Sequence, residues 1–450
     1  MERELILKYI ERDRDENARR RRMYDYYNGK HAIMHRCMED PSKPNNKVAN
    51  GYPYYIANSY SGYVFGKPVV YTAEDEALNQ KLLDCFKYND EQETNSAIGL
   101  DMGICGVGVE IHYVDADGMD RFCAVDPVGC IDVRDGTIEN NLTTLIRYYE
   151  VENIETNRTE MYVEVLDKQY RETYRKEGSE LVLLDKNLHG YGDVPAVIWE
   201  NNKFREGDFA PVITQIDAYN IMQSDAINDQ EYFTDAMLAL YGIGDMGEDE
   251  EGGGIAGMKQ KRVLLMPNDS KAEWLIKSQN DQTPENIKIR LNNDIHKFSG
   301  CPDMTDEKFA GNASGVALRY KLLDFEIIAS MKQRGAKKAL QRRLELLCNI
   351  WRVKGQGSWD WRDVQITFKR ALPENMLEIS QTLSNLGSLL SDETKRSMIP
   401  LELDEDAEKQ RLAEQNKLGL SLFSESEFKT GELNDPASDA AEGAQMNANE

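Results

Sequence analysis

The stretch Cys301-Pro302-Asp303-Met304-Thr305-Asp306-Glu307-Lys308-Phe309-Ala310-Gly311-Asn312-Ala313-Ser314-Gly315-Val316-Ala317-Leu318 decides the reading of this chain. It is a glycine-punctuated polar loop in which Ser314 can serve as a helix N-cap. Nothing in it looks catalytic. Residues 281–298 precede it at helical spacing, and a third helix runs from Ser314 to about Val353. Upstream, residues 208–241 contain no Gly and only Pro211, placed where a first helical turn accepts it. Apolar residues recur there at Val212, Ile216, Tyr219, Ala226, Phe233, Met237 and Leu240. One helix over that span would be about 50 Å long. Its other face carries Asp217, Asn220, Ser224, Asn228, Asp229, Glu231 and Asp235. Between the first two helices lie a Gly/Asp/Glu loop, 242–257, and a short strand, 262–266. The set reads as a helical hairpin with one loop at each end, built to line something.

Outward from the hairpin the pattern changes. Residues 1 to about 27 alternate charge with Leu5, Ile6, Tyr9 and Ile10 at helical spacing, and Asn28-Gly29 stops them. Residues 49–65 are rich in aromatics, and Pro68-Val69-Val70-Tyr71 reads as a short strand. Residues 75–102 read as two helices split near Tyr88-Asn89-Asp90. Period-two alternation then marks strands at 109–114, 144–151 and 161–166, with a shorter run at 181–184. Strands in succession without intervening helices predict an antiparallel meander. Downstream, 359–369 reads as strand and 373–390 as helix, and the acidic, small-residue end reads as disordered.

The 450 residues suffice for two or three domains, and the net charge of −25 argues against a general nucleic-acid-binding surface. It does not argue against a wall that surrounds DNA without holding it, since like charge repels phosphate. Seven cysteines with no CxxC pattern fit reduced cytosolic chemistry. The N-terminus opens a charged helix without an apolar signal region, and no run approaches the ~20 apolar residues that span a bilayer.

The candidate chemical motifs fail on order or spacing. Gly103-Ile104-Cys105-Gly106-Val107-Gly108 has helix, glycines, strand, whereas a dinucleotide site needs strand, glycines, helix. It reads as a tight turn where side chains would clash. Gly62 to Pro68 resembles a phosphate-binding loop but is one residue short, and Pro68 replaces the hydroxyl that would hold magnesium. His31, His35 and Cys37 lack a second ligand pair for zinc. Arg19 to Arg22 read as intrahelical ion pairs or a subunit contact. Lys332, Arg334, Lys337, Lys338, Arg342 and Arg343 read as a solvated or inter-subunit face. No catalytic residue, cofactor or metal is assigned, and no enzyme is expected.

The chain resembles the SPP1-type (gp6-like) phage portal proteins. The likeness rests on Tyr26-Tyr27-Asn28-Gly29-Lys30-His31, on Asn58-Ser59-Tyr60 through Gly66-Lys67-Pro68-Val69, and on Cys301-Pro302-Asp303 through Gly315-Val316-Ala317 into Tyr320-Lys321-Leu322. The resemblance implies an α+β portal fold with wing, stem helices, clip, tunnel loop and crown, assembling into a dodecameric ring. On this chain the wing would be 1–207, the first stem helix 208–241, the clip 242–275 and the second stem helix 276–299. The tunnel loop would be 300–313, the long kinked helix and wing strand 314–372, the crown 373–424 and the acidic tail 425–450. Thr305, Asp306, Glu307, Lys308, Phe309, Ala310, Gly311 and Asn312 would collar the DNA. Asn228, Asp229, Glu231 and Asp235 would line the stem, and Asp245, Glu248, Asp249, Glu250 and Glu251 would lie in the clip.

The implied partners are further copies of the chain, double-stranded DNA passing through the channel, the terminase large subunit, major capsid and scaffolding proteins, and head-completion or adaptor proteins. No membrane is implied. The implied place is the portal vertex of the virion, after assembly in the bacterial host cytoplasm. Two other readings stay open at this stage: an acidic docking scaffold with no DNA channel, and an enzyme built on a carboxylate pair.

Overall fold

The computed structural model describes residues 1–41, 43–154, 157–233, 237–241, 263–266, 272–275, 282–304, 320–370, 376–386, 394–395, 411 and 414–415. They fall into two units, Met1–Leu372 and Pro373–Glu450.

The first unit begins with helices α1 (Arg3–Arg12) and α2 (Arg14–Tyr27), broken at Asp13. Ile6 of α1 is buried in one apolar cluster with Ile146, Val163, Val165, Tyr174 and Leu181. Helix α3 (Tyr52–Phe65) starts with Pro53 in its first turn, where a missing N–H costs nothing. It is apolar almost all round, and Ile56, Ala57, Tyr60 and Val64 are fully buried. Strand β1 (Val70–Thr72) follows, then α4 (Glu76–Tyr88), capped by Asp75 Oδ1 accepting from the Ala77 and Leu78 N–H groups. Helix α5 (Glu91–Cys105) ends on Gly106 at φ +89°, the left-handed position that favours glycine at a helix C-terminus.

The strands between residues 107 and 200 form two antiparallel sheets. In the first, β2 (Val107–Val114) runs between β3 (Asp120–Val125) and β9 (Ala196–Glu200). Its near-complete burial follows from that central position. The second is the expected meander: β4 (Cys130–Arg134), β5 (Leu142–Asn153), β6 (Arg158–Leu166), β7 (Tyr170–Glu177) and β8 (Glu180–Leu188), paired in chain order.

Beyond the sheets come α6 (Ile213–Phe233), β10 (Met237–Tyr241), β11 (Val263–Met266), β12 (Ala272–Leu275), α7 (Gln282–Ser299) and α8 (Leu323–Val353). Strand β10 lies between β11 and β12. The single helix expected over 208–241 is therefore corrected. Its first turn is a 3-10 turn over Ala210–Val212, the α-helix ends at Phe233, and Met237–Tyr241 is strand. Met-Leu-Ala-Leu-Tyr continues the apolar helical spacing, but pairing on both edges overrides that local pattern. The strand expected over 359–369 shortens to β13 (Gln365–Thr367) after a 3-10 turn at Trp361–Asp363. β13 pairs antiparallel with β1 and so ties the end of this unit back to its start.

In the second unit the described helix is α9 (Met376–Leu386), inside the helix expected over 373–390. The loop 242–257, residues 305–319 and the acidic end 425–450 lie outside the described residues.

Candidate functional site

The helix–strand junction at the Gly103–Gly108 motif is built as the sequence suggests. A Cβ at Gly106 would meet the Arg205 carbonyl oxygen at 2.1 Å, and one at Gly108 would meet Ile98 Cγ2 at 2.5 Å. A Cβ at Gly103 would reach Asp208 Oδ2 at 2.7 Å and Lys332 Nζ at 3.0 Å. The glycines thus let α5 approach the start of the hairpin and the long helix α8, with no helix N-terminus facing a ligand.

Two of the basic residues on α8 are not on a solvated face. Lys332 is buried, with Nζ 2.7 Å from Asp208 Oδ2, and Asn201 Nδ2 donates to Asp208 Oδ1 at 2.8 Å. Arg343 is fully buried and grips Glu110 with two bonds, Nε to Oε1 at 2.8 Å and Nη2 to Oε2 at 2.7 Å. Its Nη1 donates to Glu91 Oε1 at 3.1 Å, and Trp199 Nε1 donates to Glu110 Oε2 at 3.0 Å. Burial alone would raise Glu110, but the Arg343 guanidinium and the His112 ring, whose Nε2 lies 2.8 Å from Oε1, together outweigh it and hold the carboxyl at about 2. These contacts lock α8 to α5, β2 and β9. The sequence signal was present: positions 332 and 343 fall in phase with Phe325, Ala329, Ala336 and Leu340 on the buried face.

Helix α3 holds the base of the hairpin. Tyr52 packs edge-on against both Tyr219 of α6 and His296 of α7, and its hydroxyl donates to Asn292 Oδ1 at 2.6 Å. The start of α6 therefore lies beside the end of α7, and the two helices run antiparallel. Tyr60 donates to the Ser299 carbonyl at 2.9 Å, and Tyr55 donates to that of Pro302 at 2.9 Å while accepting from the Met304 N–H at 3.0 Å. Gly300, at φ +66°, makes the turn; a Cβ there would collide with Ile328 Cδ1 at 2.4 Å. The aromatic run 49–65 is a tyrosine clamp on the mouth of the segment that begins at Cys301.

The polar face of α6 is in large part an inner face. An extended strap, residues 45–50, lies against it. The Asn46 N–H and Nδ2 both donate to Asn228 Oδ1, at 2.7 and 3.0 Å. The Val48 N–H donates to Ser224 Oγ at 3.0 Å, and the Asn50 N–H and Nδ2 donate to Asn220 Oδ1 at 2.9 and 2.8 Å. Alternate strap residues meet every fourth helix residue. Two extended residues advance about 6.6 Å and four helical residues about 6.0 Å, so the rungs stay in step. Uncharged acceptors suit the place, because a carboxylate buried there would need a cation.

His31 closes the ladder. Asn220 Nδ2 donates to His31 Nδ1 at 2.8 Å, which leaves Nε2–H to donate to the Tyr26 carbonyl at 2.8 Å. Burial lowers His31 below the ordinary imidazole range, although the Tyr26 carbonyl pulls the other way. His31 is thus a buried neutral side chain rather than a zinc ligand.

Of the residues expected to line the stem, Asn228 is buried, its Oδ1 accepting from the Asn46 N–H and Nδ2. Asp229 and Glu231 are exposed, and Glu231 Oε2 accepts from Asn46 Nδ2 at 2.5 Å. Asp235, the loop residues Thr305 to Asn312, and Asp245, Glu248, Asp249, Glu250 and Glu251 lie outside the described residues. Among the described residues no group of three or more His, Cys, Asp or Glu side chains is placed to hold a metal, and no helix is long and apolar enough to cross a membrane.

Comparison with known proteins adds three findings. The family model "Phage portal protein, SPP1 Gp6-like" matches residues 6–418. The portal protein of Bacillus phage SPP1 is 22% identical over 427 residues, covering 91% of this chain and 82% of that one. A chain in the neck of an empty GTA particle matches at a TM-score of 0.43 and 12% identity, over 78% of this chain and 90% of that chain.

Proposed function

Because the chain belongs to the SPP1 Gp6-like family of phage portal proteins, we propose that it forms the ring at a capsid vertex through which double-stranded DNA is packaged and ejected. The observation that carries this reading is the α6–α7 hairpin. Antiparallel and clamped at its base by Tyr52, Tyr55 and Tyr60, it leaves Ile221, Ile227, Ile287, Ile289 and Phe298 in water when the chain stands alone. A stem of hairpins standing side by side would cover such side chains.

In this reading the copies enclose a bore. Each exposed acid on the stem, Asp229 and Glu231 among them, is repeated by every copy, and DNA slides because phosphates are repelled and no base is read. The segment after Cys301, with Lys308 and Phe309, would be the narrow collar. The segment around 242–275 would be the clip, meeting the terminase large subunit and later the head-completion proteins. The wing would face capsid and scaffolding proteins. The protein performs no reaction of its own here; ATP hydrolysis belongs to the terminase.

Electron microscopy of the purified chain tests the reading. The expected image is a closed ring with a central hole wide enough for a DNA duplex. A particle with no open axis, together with capture of terminase, would favour the acidic docking scaffold instead.

A further inference from the structure

The exposed face of α8 carries an ordered stripe. Leu323, Ile327 and Met331 are 50%, 51% and 44% exposed, and Arg334 and Lys338 continue the same face. Steps of four, four, three and four residues keep these five side chains in one line. Beside them a shallow groove of about 490 Å³ is lined by Glu326, Ile327, Ser330, Gln333, Arg334 and Lys337. Ile327 lies at one end, beside Glu326 and Ser330, and Arg334 and Lys337 lie at the other.

The charge of this patch is out of keeping with its surroundings. The other cations nearby are neutralised: Lys332 by Asp208, Arg342 by Asp193 and Glu345, Arg343 by Glu110, and Arg370 by Glu326. Glu326 is spent on Arg370, Tyr63 and Ser330. Arg334, Lys337 and Lys338 are exposed and make no ion pair among the described residues. In a chain of net charge −25, three uncompensated cations beside exposed Leu, Ile and Met point to an occupant with apolar and acidic side chains.

We propose that this stripe docks a different, acidic face of the next copy of the chain. Two copies paired through the stripe itself would set its cations against cations or against apolar side chains, and in neither case against a carboxylate. The contact is therefore heterologous, and a heterologous contact between identical chains closes into a ring when the rotation permits. The proposal rests on the portal reading and deepens it by naming one half of the subunit interface. A DNA backbone would match the cations but not the apolar half of the stripe.

The test uses the full chain. Arg334→Glu, Lys337→Glu and Lys338→Glu are combined, and ring dissociation is followed by mass photometry across protein and salt concentration. The expected result is at least a tenfold rise in the concentration at which rings fall apart, with the thermal unfolding of the monomer unchanged. Rings as stable as wild type would overturn the proposal. Zero-length carbodiimide coupling of the wild-type ring gives a second reading that needs no variant. Links from Lys337 or Lys338 to an Asp or Glu of another copy are expected; their absence among other inter-copy links would also overturn it. If the wild-type chain forms no ring at all, the portal reading itself fails, a separately visible result.

Discussion

Lys332 Nζ lies 2.7 Å from Asp208 Oδ2 in the protein interior, and the pair fits only because the neighbouring Gly103 carries no side chain. A buried ion pair costs desolvation on both sides, and the loss is severe when one partner goes. Lys332→Ala is expected to cost about 3–5 kcal/mol, because Asp208 is left buried without its cation. Gly103→Ala would recover about 1 kcal/mol of helix propensity but push a methyl into the pair, an overpacking cost of about 1–3 kcal/mol. A net loss of about 1 kcal/mol is expected. Urea midpoints for the two variants give the order; a stabilised Gly103→Ala protein would show that the pair has room to spare.

Glu110 gives a pH dependence of known sign. Against the opposing effect of burial, Arg343 and His112 together hold its carboxyl at about 2. The folded state thus releases this proton at lower pH than the unfolded chain does. The stability it contributes is full above the ordinary carboxylate range and is lost as pH falls towards about 2. Glu110→Gln should unfold more readily at neutral pH and lose less on acidification. Melting curves of both proteins from neutral pH to about pH 3 measure the difference in slope.

His31 acts in the same direction at milder pH. It is neutral and buried, and its proton affinity is lowered, so the unfolded chain takes up the proton first as pH falls. Stability should therefore drop from about pH 6.5 downward, until the folded imidazole titrates. Protonation would set a donor at Nδ1 against the Asn220 amide, which already donates there. His189 is lowered too, by its own burial, so His31→Gln should remove only part of the acid-side decline. An unchanged decline would place the sensitivity elsewhere.

The ladder along α6 was only partly legible in the sequence. Residues 220, 224 and 228 read as part of a polar face that lines something, because polar residues at helical spacing usually lie outside the core. The clue was chemical: Asn, Ser and Asn carry no charge, and Asn46 and Asn50, four residues apart, share one side of a segment too polar to be an ordinary strand. Elements with their own local period, such as α4, α5, α7 and β5, were readable. β7, with the sequence YRETYRKE, was not, because charged side chains on a strand flanked by β6 and β8 mask the alternation. Lys332 and Arg343 stand in phase with the buried face of α8, yet a cation there reads as solvated until its partner is known, and Asp208 and Glu110 lie far away in the chain.

Removing rungs should loosen α6 in graded steps. Asn220→Ala deprives the Asn50 N–H, the Asn50 amide and His31 Nδ1 of a partner at once. A loss of about 2–3 kcal/mol is expected, against about 1 kcal/mol for Ser224→Ala, which orphans the single Val48 N–H. Hydrogen exchange along Ile213–Phe233 should quicken more in the first variant than in the second. Equal protection in both would mean that the strap follows the helix without holding it.

The proposal that residues 305–312 form a collar around DNA makes the most direct functional prediction. Lys308 is the one cation in that stretch, which also holds Asp306 and Glu307. In the proposed ring, Lys308→Glu would reverse a charge in every copy at the proposed collar, where a passing phosphate would have least room to avoid it. Repulsion there should slow translocation and lower the DNA packaged per capsid, more so at low ionic strength, where the field reaches farther. Lys308→Gln should fall between the two, since it removes attraction without adding repulsion. If Lys308 merely pairs with Asp306 or Glu307, the Gln variant should behave as the Glu variant does, because both break that pair. Packaging that is unchanged in both variants would remove Lys308 from the mechanism while leaving the ring and its channel untouched.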